Sequence, residues 1–194
     1  MSKRETNDQN SCNAPVEAAE HTPSELASIW SSIQTTRLTL RRLQLTDGLA
    51  MFAVHGDPAT NLYNPFGPHP DLATSEEMLR DCLQHWEVYG FGIWAVTPAQ
   101  EEPIIGFGGV EHRVWRDREV LNLYYRLTPG AWGQGYATEL ARTAVTLART
   151  YFPQWPVVAR TRANNLPSLR TAQRAGLLRR PDLDTEHVVF ALGW

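Results

Sequence analysis

Lysine is almost missing from this sequence of 194 residues: Lys3 stands alone, and every other basic residue is an arginine. That excludes the phosphate-binding loop of P-loop nucleotide hydrolases, which needs a lysine beside its last glycine. A GC-rich genome accounts for the preference for arginine. Cysteine is equally scarce. Cys12 lies in a polar stretch and Cys82 in a helical pattern, so neither a disulfide framework nor a zinc site is expected, nor any other metal. No apolar run approaches the roughly 20 residues that cross a bilayer. The start, Met-Ser-Lys-Arg-Glu-Thr-Asn-Asp, lacks the apolar segment of a signal peptide, so the cytoplasm is the expected location and no membrane partner is expected. Charge of one sign is not in surplus either: the formal net charge is -3, with no basic stripe to suggest nucleic acid.

What is present is an ordinary hydrophobic share of 42% with 10% aromatics, which suits one domain with a sizeable core. Residues 1–33 are rich in Ser, Asn, Glu, Thr and Pro and read as a flexible tail, with a short helix around 24–32 carrying Leu26 and Trp30. The domain proper is expected to cover 34–194. Its first strand is 36–43, and Thr46-Asp47 opens a helix with Leu49, Met51, Phe52 and Val54. A proline-rich loop, 57–73, precedes a helix capped at Thr74, with Met78, Leu79, Cys82, Leu83 and Trp86 at helical spacing. Strands follow at 91–96, 104–112 and 121–127, the last two joined by a charged hairpin turn at 116–119. A helix at 137–151, a strand at 155–161, a helix at 168–175 ending at Gly176 and a strand at 187–192 complete an α+β domain with a mixed sheet. The last strand has no helix after it, and its edge is a candidate for pairing with a second copy.

The segment with the most chemistry is Trp132-Gly133-Gln134-Gly135-Tyr136-Ala137, a glycine turn between a strand and a helix. Such a turn presents backbone N–H groups in a positive dipole field, which suits a phosphate or pyrophosphate. Gly133 and Gly135 let the backbone approach such a group, and Ala137 keeps the first helical turn small. A dinucleotide fingerprint does not fit, because Thr138 stands where its third glycine belongs and the next strand ends in Arg160-Thr161 rather than an acid. Taken alone, the glycines equally well make a plain helix start. A second block, Asn165-Leu-Pro-Ser168 leading to Ala175-Gly176, weighs against that reading.

Together these blocks resemble the GNAT superfamily of N-acetyltransferases, whose acetyl-CoA signature is Gln/Arg-x-x-Gly-x-Gly/Ala. The match is at Gly135 and Ala137, with Trp132 in the first position, a departure from the general pattern. Trp-Gly-x-Gly-Tyr-Ala-Thr-Glu is similar to the turn of the branch that acetylates ribosomal-protein N-termini (the Rim-type branch). The resemblance extends to Thr36-Arg-Leu-Thr-Leu-Arg, Phe91-Gly-Ile-Trp-Ala-Val and Ile105-Gly-Phe-Gly-Gly, and covers residues 35–193. It implies a mixed, mostly antiparallel sheet of about six or seven strands with about four helices, V-shaped at the acetyl-CoA site. It also implies transfer of an acetyl group from acetyl-CoA to a primary amine, in a peptide or protein N-terminus or a small molecule. Attack would be direct, in a ternary complex, by a monomer or homodimer. The residues implied to hold acetyl-CoA are Tyr125, Arg126 and Leu127 through the backbone, Trp132, Gly133, Gln134, Gly135, Tyr136, Ala137 and Thr138 at the turn, and Asn165 and Ser168 at the last helix. An N–H near Leu123 or Tyr124 would polarise the acetyl carbonyl.

Acyl transfer to an amine also needs a proton donor for the thiolate and an acceptor for the amine proton. By resemblance Ser168 is the donor, and a plain helix N-cap is its alternative role. The acceptor breaks the pattern. Asn122 occupies the place where many relatives carry Glu, and an amide takes no proton at neutral pH. Glu111 and His112 on the neighbouring strand are the nearest replacements, and alternation lets only one face the cleft; Glu111 is favoured. Tyr124 and Tyr125 are further candidates, with core packing as the alternative. The wall opposite is expected from Tyr63, Phe66, His69, Asp71, Glu76 and Glu77, whose aromatic and acidic character suits a cationic amine. A non-catalytic acyl-CoA-binding or regulatory module with the same fold is the alternative, supported by Asn122.

Overall fold

The computed structural model describes residues 21–99 and 103–194. Its first helix, α1 (Pro23–Trp30), is opened by a reciprocal cap: Thr22 Oγ1 accepts from the Glu25 N–H at 3.3 Å, and the Glu25 carboxylate accepts from the Thr22 N–H at 2.8 Å. Leu26 and Trp30 are buried; Trp30 stacks on Trp94 at 5.2 Å, and Trp94 Nε1 donates to the Trp30 carbonyl at 2.7 Å. The short strand β1 (Ser32–Gln34) then pairs with β2 (Leu38–Arg42). The folded unit therefore reaches back to residue 22, and the expected tail of 1–33 is too long. Two large apolar side chains at helical spacing outweigh the polar composition around them. Residues 1–20 of that expected tail, Cys12 among them, lie outside the described residues.

After β2 come α2 (Gly48–His55) and α3 (Leu72–Tyr89). Asp71, not Thr74, caps α3: its carboxylate accepts both the N–H and the hydroxyl of Thr74 at 2.8 Å. Strands β3 (Ile93–Pro98), β4 (Gly106–Trp115) and β5 (Arg118–Leu127) follow. Arg116 and Asp117 join β4 to β5 with φ of 53° and 57°, the left-handed pair of a tight hairpin turn. Then come α4 (Tyr136–Tyr151), β6 (Val157–Thr161), α5 (Leu166–Arg174), β7 (Leu178–Arg179) and β8 (Val188–Leu192). The sheet has eight strands in the order β1-β2-β3-β4-β5-β6-β8-β7, antiparallel throughout except for β5 and β6. The two strands beyond the six read from the sequence are β1 and β7, too short to show alternation. β8 lies between β6 and β7, so the last strand is not the free edge that its position in the chain suggested.

Helices cover both faces. Against one face, α1 and α4 enclose Trp30, Trp94, Val110, Leu121, Leu123 and Leu140, with Ala141, Ala144 and Ala148 letting α4 lie close. Against the other, α2 and α3 enclose Met51, Val54, Leu79, Ile93, Ala95 and Phe107. One interruption in the sheet matters most. The parallel pair β5–β6 is in register only at Leu121–Val157 and Asn122–Val158; beyond Asn122 the strands diverge into a V. No helix among the described residues is long and apolar enough to cross a membrane.

Candidate active site

The glycine turn sits at the wide end of this V. Gly133 and Gly135 have φ of 74° and 81°, a left-handed backbone that side chains disfavour. Nothing lies within 4 Å of a Cβ built on Gly133, so conformation rather than crowding by the protein demands glycine there. Gly135 is the N-cap of α4 and brings no side chain to its first N–H groups. Residues 132–135 are exposed and 136–138 half-buried, which leaves Tyr136, Ala137 and Thr138 as the floor of an open cradle. Trp132, 48% exposed, ties the turn to the end of β5 by donating from Nε1 to the Leu127 carbonyl at 2.8 Å. Gln134 Nε2 donates to the Gly130 carbonyl at 2.8 Å.

Along β5 the direction of the backbone groups is set by one bond. The Leu121 N–H donates to the Pro156 carbonyl beside β6 at 2.9 Å, and directions alternate from there. The N–H groups of Leu123 and Tyr125 therefore face the V, while those of Tyr124 and Arg126 enter the β4 ladder. This corrects two expectations: Arg126 does not offer its backbone to the V, and of Leu123 and Tyr124 only Leu123 can direct an N–H there. The Leu127 carbonyl is engaged by Trp132.

α5 closes the far side. Asn165 is its N-cap, its Oδ1 accepting from the Ser168 N–H at 3.2 Å, so Ser168 lies in the first turn and is not the cap. Tyr125 reaches across the V to it. Its hydroxyl lies 3.0 Å from both the Ser168 carbonyl and Ser168 Oγ. The carbonyl can only accept, so the phenol proton goes to it and the serine hydroxyl donates to the phenol oxygen. Burial pushes the Tyr125 phenol up to about 12, which keeps it protonated at neutral pH.

The opposite face of β4 and β5 carries Glu111 and Asn122, which stand directly across from each other in the ladder. With Arg113, Trp115, Val158 and Arg160 they line a cavity of about 270 Å³. A second hollow, lined in part by Asp81, His85 and Tyr89, also ends on Glu111 and Arg113. The Glu111 side chain is 12% exposed and accepts from Arg113 at 3.0 Å. Burial raises its carboxyl above the ordinary value, and Arg113 opposes that only in part. His112 points the other way, packed against Tyr89 and Trp155, with Nε2 3.3 Å from Glu119.

The sequence profile of the acetyltransferase (GNAT) domain matches residues 37–178, a span that contains the V, the glycine turn and α5 up to β7. The chain belongs to this family. Among curated proteins it is similar to an uncharacterised N-acetyltransferase, p20, from Bacillus licheniformis, 24% identical over 156 residues, 76% of this chain and 85% of the relative. Among solved structures, an acetyltransferase from Agrobacterium tumefaciens superposes with a TM-score of 0.71 at 26% identity, over 83% of this chain and 93% of that one. A spermidine N-acetyltransferase from Vibrio cholerae, solved with CoA and spermine, shares the fold at a TM-score of 0.64 and 16% identity, over 81% of this chain and 94% of that one.

The GNAT domain also holds an arrangement that sequence reading missed. His55 is buried in α2. Its Nδ1 lies 3.0 Å from the Met51 carbonyl and must donate to it, so Nε2 accepts from the Tyr124 hydroxyl at 2.7 Å. Burial, helped by Arg126, lowers His55 to about 3, and burial pushes the Tyr124 phenol upward. His69 stacks on His55 at 5.1 Å, and the Arg126 guanidinium donates to Asn61. The expected acidic wall is not assembled here. Asp71 is occupied in capping α3, Glu76 lies along Gly48 at the start of α2, and Phe66 is 93% exposed. Of that group His69, stacked on His55, joins the Tyr124 side of the cleft. Helical periodicity marks His55 as inward-facing, but nothing local marks its partner 69 residues on.

Proposed function

We propose that this GNAT domain is an acetyl-CoA-dependent N-acetyltransferase that moves an acetyl group to a primary amine by direct attack in a ternary complex. The observation that carries this reading is the V between β5 and β6 opening onto the left-handed glycine turn. The residues fit the donor: exposed turn N–H groups for the pyrophosphate, β5 backbone groups at Leu123 and Tyr125 for the pantetheine arm, and Asn165 and Ser168 beside them. Acetyl-CoA supplies a thioester activated toward amines.

The Leu123 N–H faces the acetyl carbonyl and stabilises its developing negative charge. Glu111 accepts the amine proton, and burial makes it a stronger base than an exposed carboxylate. Asn122, opposite it, accepts a hydrogen bond from the amine and orients the lone pair. As the C–N bond forms and the C–S bond breaks, the Ser168 hydroxyl swings its hydrogen bond from the Tyr125 oxygen to the departing sulfur, which leaves as a stabilised thiolate and takes its proton from solvent. The acceptor is a peptide or protein N-terminus or a small amine; the Trp132 to Glu139 block, written as in the ribosomal-protein branch, supports the former.

A second reading, an acyl-CoA-binding module without catalysis, draws on Asn122. Two measurements separate them. Acetyl-CoA at 100 times its dissociation constant should stabilise the fold by about 2.7 kcal/mol, and no shift at millimolar concentration defeats both readings. Thiol release with a panel of amines and peptide N-termini then distinguishes enzyme from binding module.

A further inference from the structure

Arg37 lies just before β2, yet its side chain ends on the glycine turn, 97 residues further along the chain. Its Nη1 donates to the Gln134 carbonyl at 2.8 Å. Its Nε donates to Glu139 Oε2 at 2.7 Å, and Nη2 lies at the same distance from that oxygen. The other carboxylate oxygen, Oε1, accepts from the Arg37 N–H at 2.8 Å and from the Thr35 hydroxyl at 2.7 Å. The guanidinium also stacks over the Tyr136 ring at 4.9 Å. Glu139 thus uses both oxygens to orient one arginine. Burial alone would raise its carboxyl; the bonds from Thr35 and Arg37 outweigh that and lower it.

The target of this arrangement is a single peptide unit. The Gln134 carbonyl and the Gly135 N–H belong to one planar trans amide and point in opposite directions. Gln134 stands between two left-handed glycines in an exposed turn, so the sequence around it leaves that amide free to rotate. With the carbonyl turned inward, the cradle would present a partial negative charge to a phosphate. Tied to Arg37, the carbonyl is held toward the guanidinium, which leaves the Gly135 N–H pointing the other way, free for a phosphate.

We infer that Arg37, oriented by Glu139 and Thr35, is a positioning residue that sets the Gln134–Gly135 amide for the diphosphate arm of the donor and governs donor affinity rather than the chemical step. The inference rests on the acetyl-CoA reading above, and it is tested by comparing acetyl-CoA with S-acetylpantetheine, which lacks the phosphates. In Arg37→Ala the KM for acetyl-CoA should rise about tenfold, the scale of one charge-assisted hydrogen bond, with kcat unchanged and S-acetylpantetheine kinetics unmoved. Arg37→Lys should rescue little, because an ammonium cannot bridge Glu139 and Gln134 as a planar fork does. If Arg37→Ala does not fold, as judged by circular dichroism, Thr35→Val and Glu139→Gln carry the same test and should show a smaller split of the same sign. Equal loss with both donors, or no loss with either, overturns the inference. Calorimetry with CoA separates the two levels. Wild-type protein that binds no CoA removes the donor reading; wild-type and Arg37→Ala proteins that bind it equally well remove only the role of Arg37.

Discussion

The two sides of the V are built in different ways. On the α4 and α5 side, the groups that would meet a donor are mostly backbone N–H groups, arranged by Gly133, Gly135 and a helix start. On the α2 and α3 side, the groups are side chains from separate elements: Glu111 from β4, Asn122 and Tyr124 from β5, His55 from α2. Backbone groups are fixed by local dihedral angles, so they belong to a short motif. Side-chain clusters are fixed by packing, and their protonation is set by burial. The glycine-turn side is therefore general in its chemistry, and the side-chain face is where this chain's own tertiary packing decides the chemistry.

The comparison makes the sharpest prediction for Glu111. If the side-chain face supplies the base, Glu111→Gln should lower kcat about a hundredfold and remove the acidic limb of its pH profile, with KM for acetyl-CoA unchanged. A parallel loss of donor affinity would mean that the two sides are not separable. Ser168→Ala should cost about tenfold in turnover, and equal losses in turnover and donor affinity would reduce Ser168 to a structural contact.

Acid stability probes the side-chain face without substrate. His55 titrates at about 3 in the folded protein against 6.5 for an ordinary histidine, so between those values the unfolded chain takes up a proton that the folded one refuses. Stability should therefore fall as pH drops from about 6.5 toward 3, by about 1.4 kcal/mol per pH unit where His55 alone contributes. Urea unfolding of His55→Gln between pH 6 and 4 should show a shallower decline, the remainder coming from His85, lowered to about 4 by burial, and from His69, also lowered by burial. The smallest effect is expected on the backbone side. Gly135→Ala places a Cβ at φ 81° and should weaken CoA binding by about 1 kcal/mol, read by calorimetry, while leaving turnover at saturation intact.

Legibility in the sequence follows the same division. The central strands, α4 with its buried alanines, the glycine turn and the Asn165–Ser168 spacing all show in local pattern, and each was found in place. The extra strands β1 and β7 span three and two residues, below the length at which alternation can be seen. The short helix around 24–32 was legible, but its place in the folded unit was not: Leu26 and Trp30 are few in a polar stretch, yet Trp30 is fully buried against Trp94. The cap of α3 moved from Thr74 to Asp71 because two capping residues compete there and the carboxylate wins both bonds.

By itself the sequence determined the family, the place of the glycine turn and the amide rather than a carboxylate at Asn122. These are written in contiguous residues whose conformation depends on their neighbours in the chain. The tertiary structure alone decided that the Leu123 and Tyr125 N–H groups face the V, that Tyr125 pairs with Ser168, that Tyr124 leans on a neutral His55, and that Arg37 holds Gln134. Each depends on strand register or on side chains distant in the chain meeting in a buried place. There, what excludes water also decides which atoms carry protons.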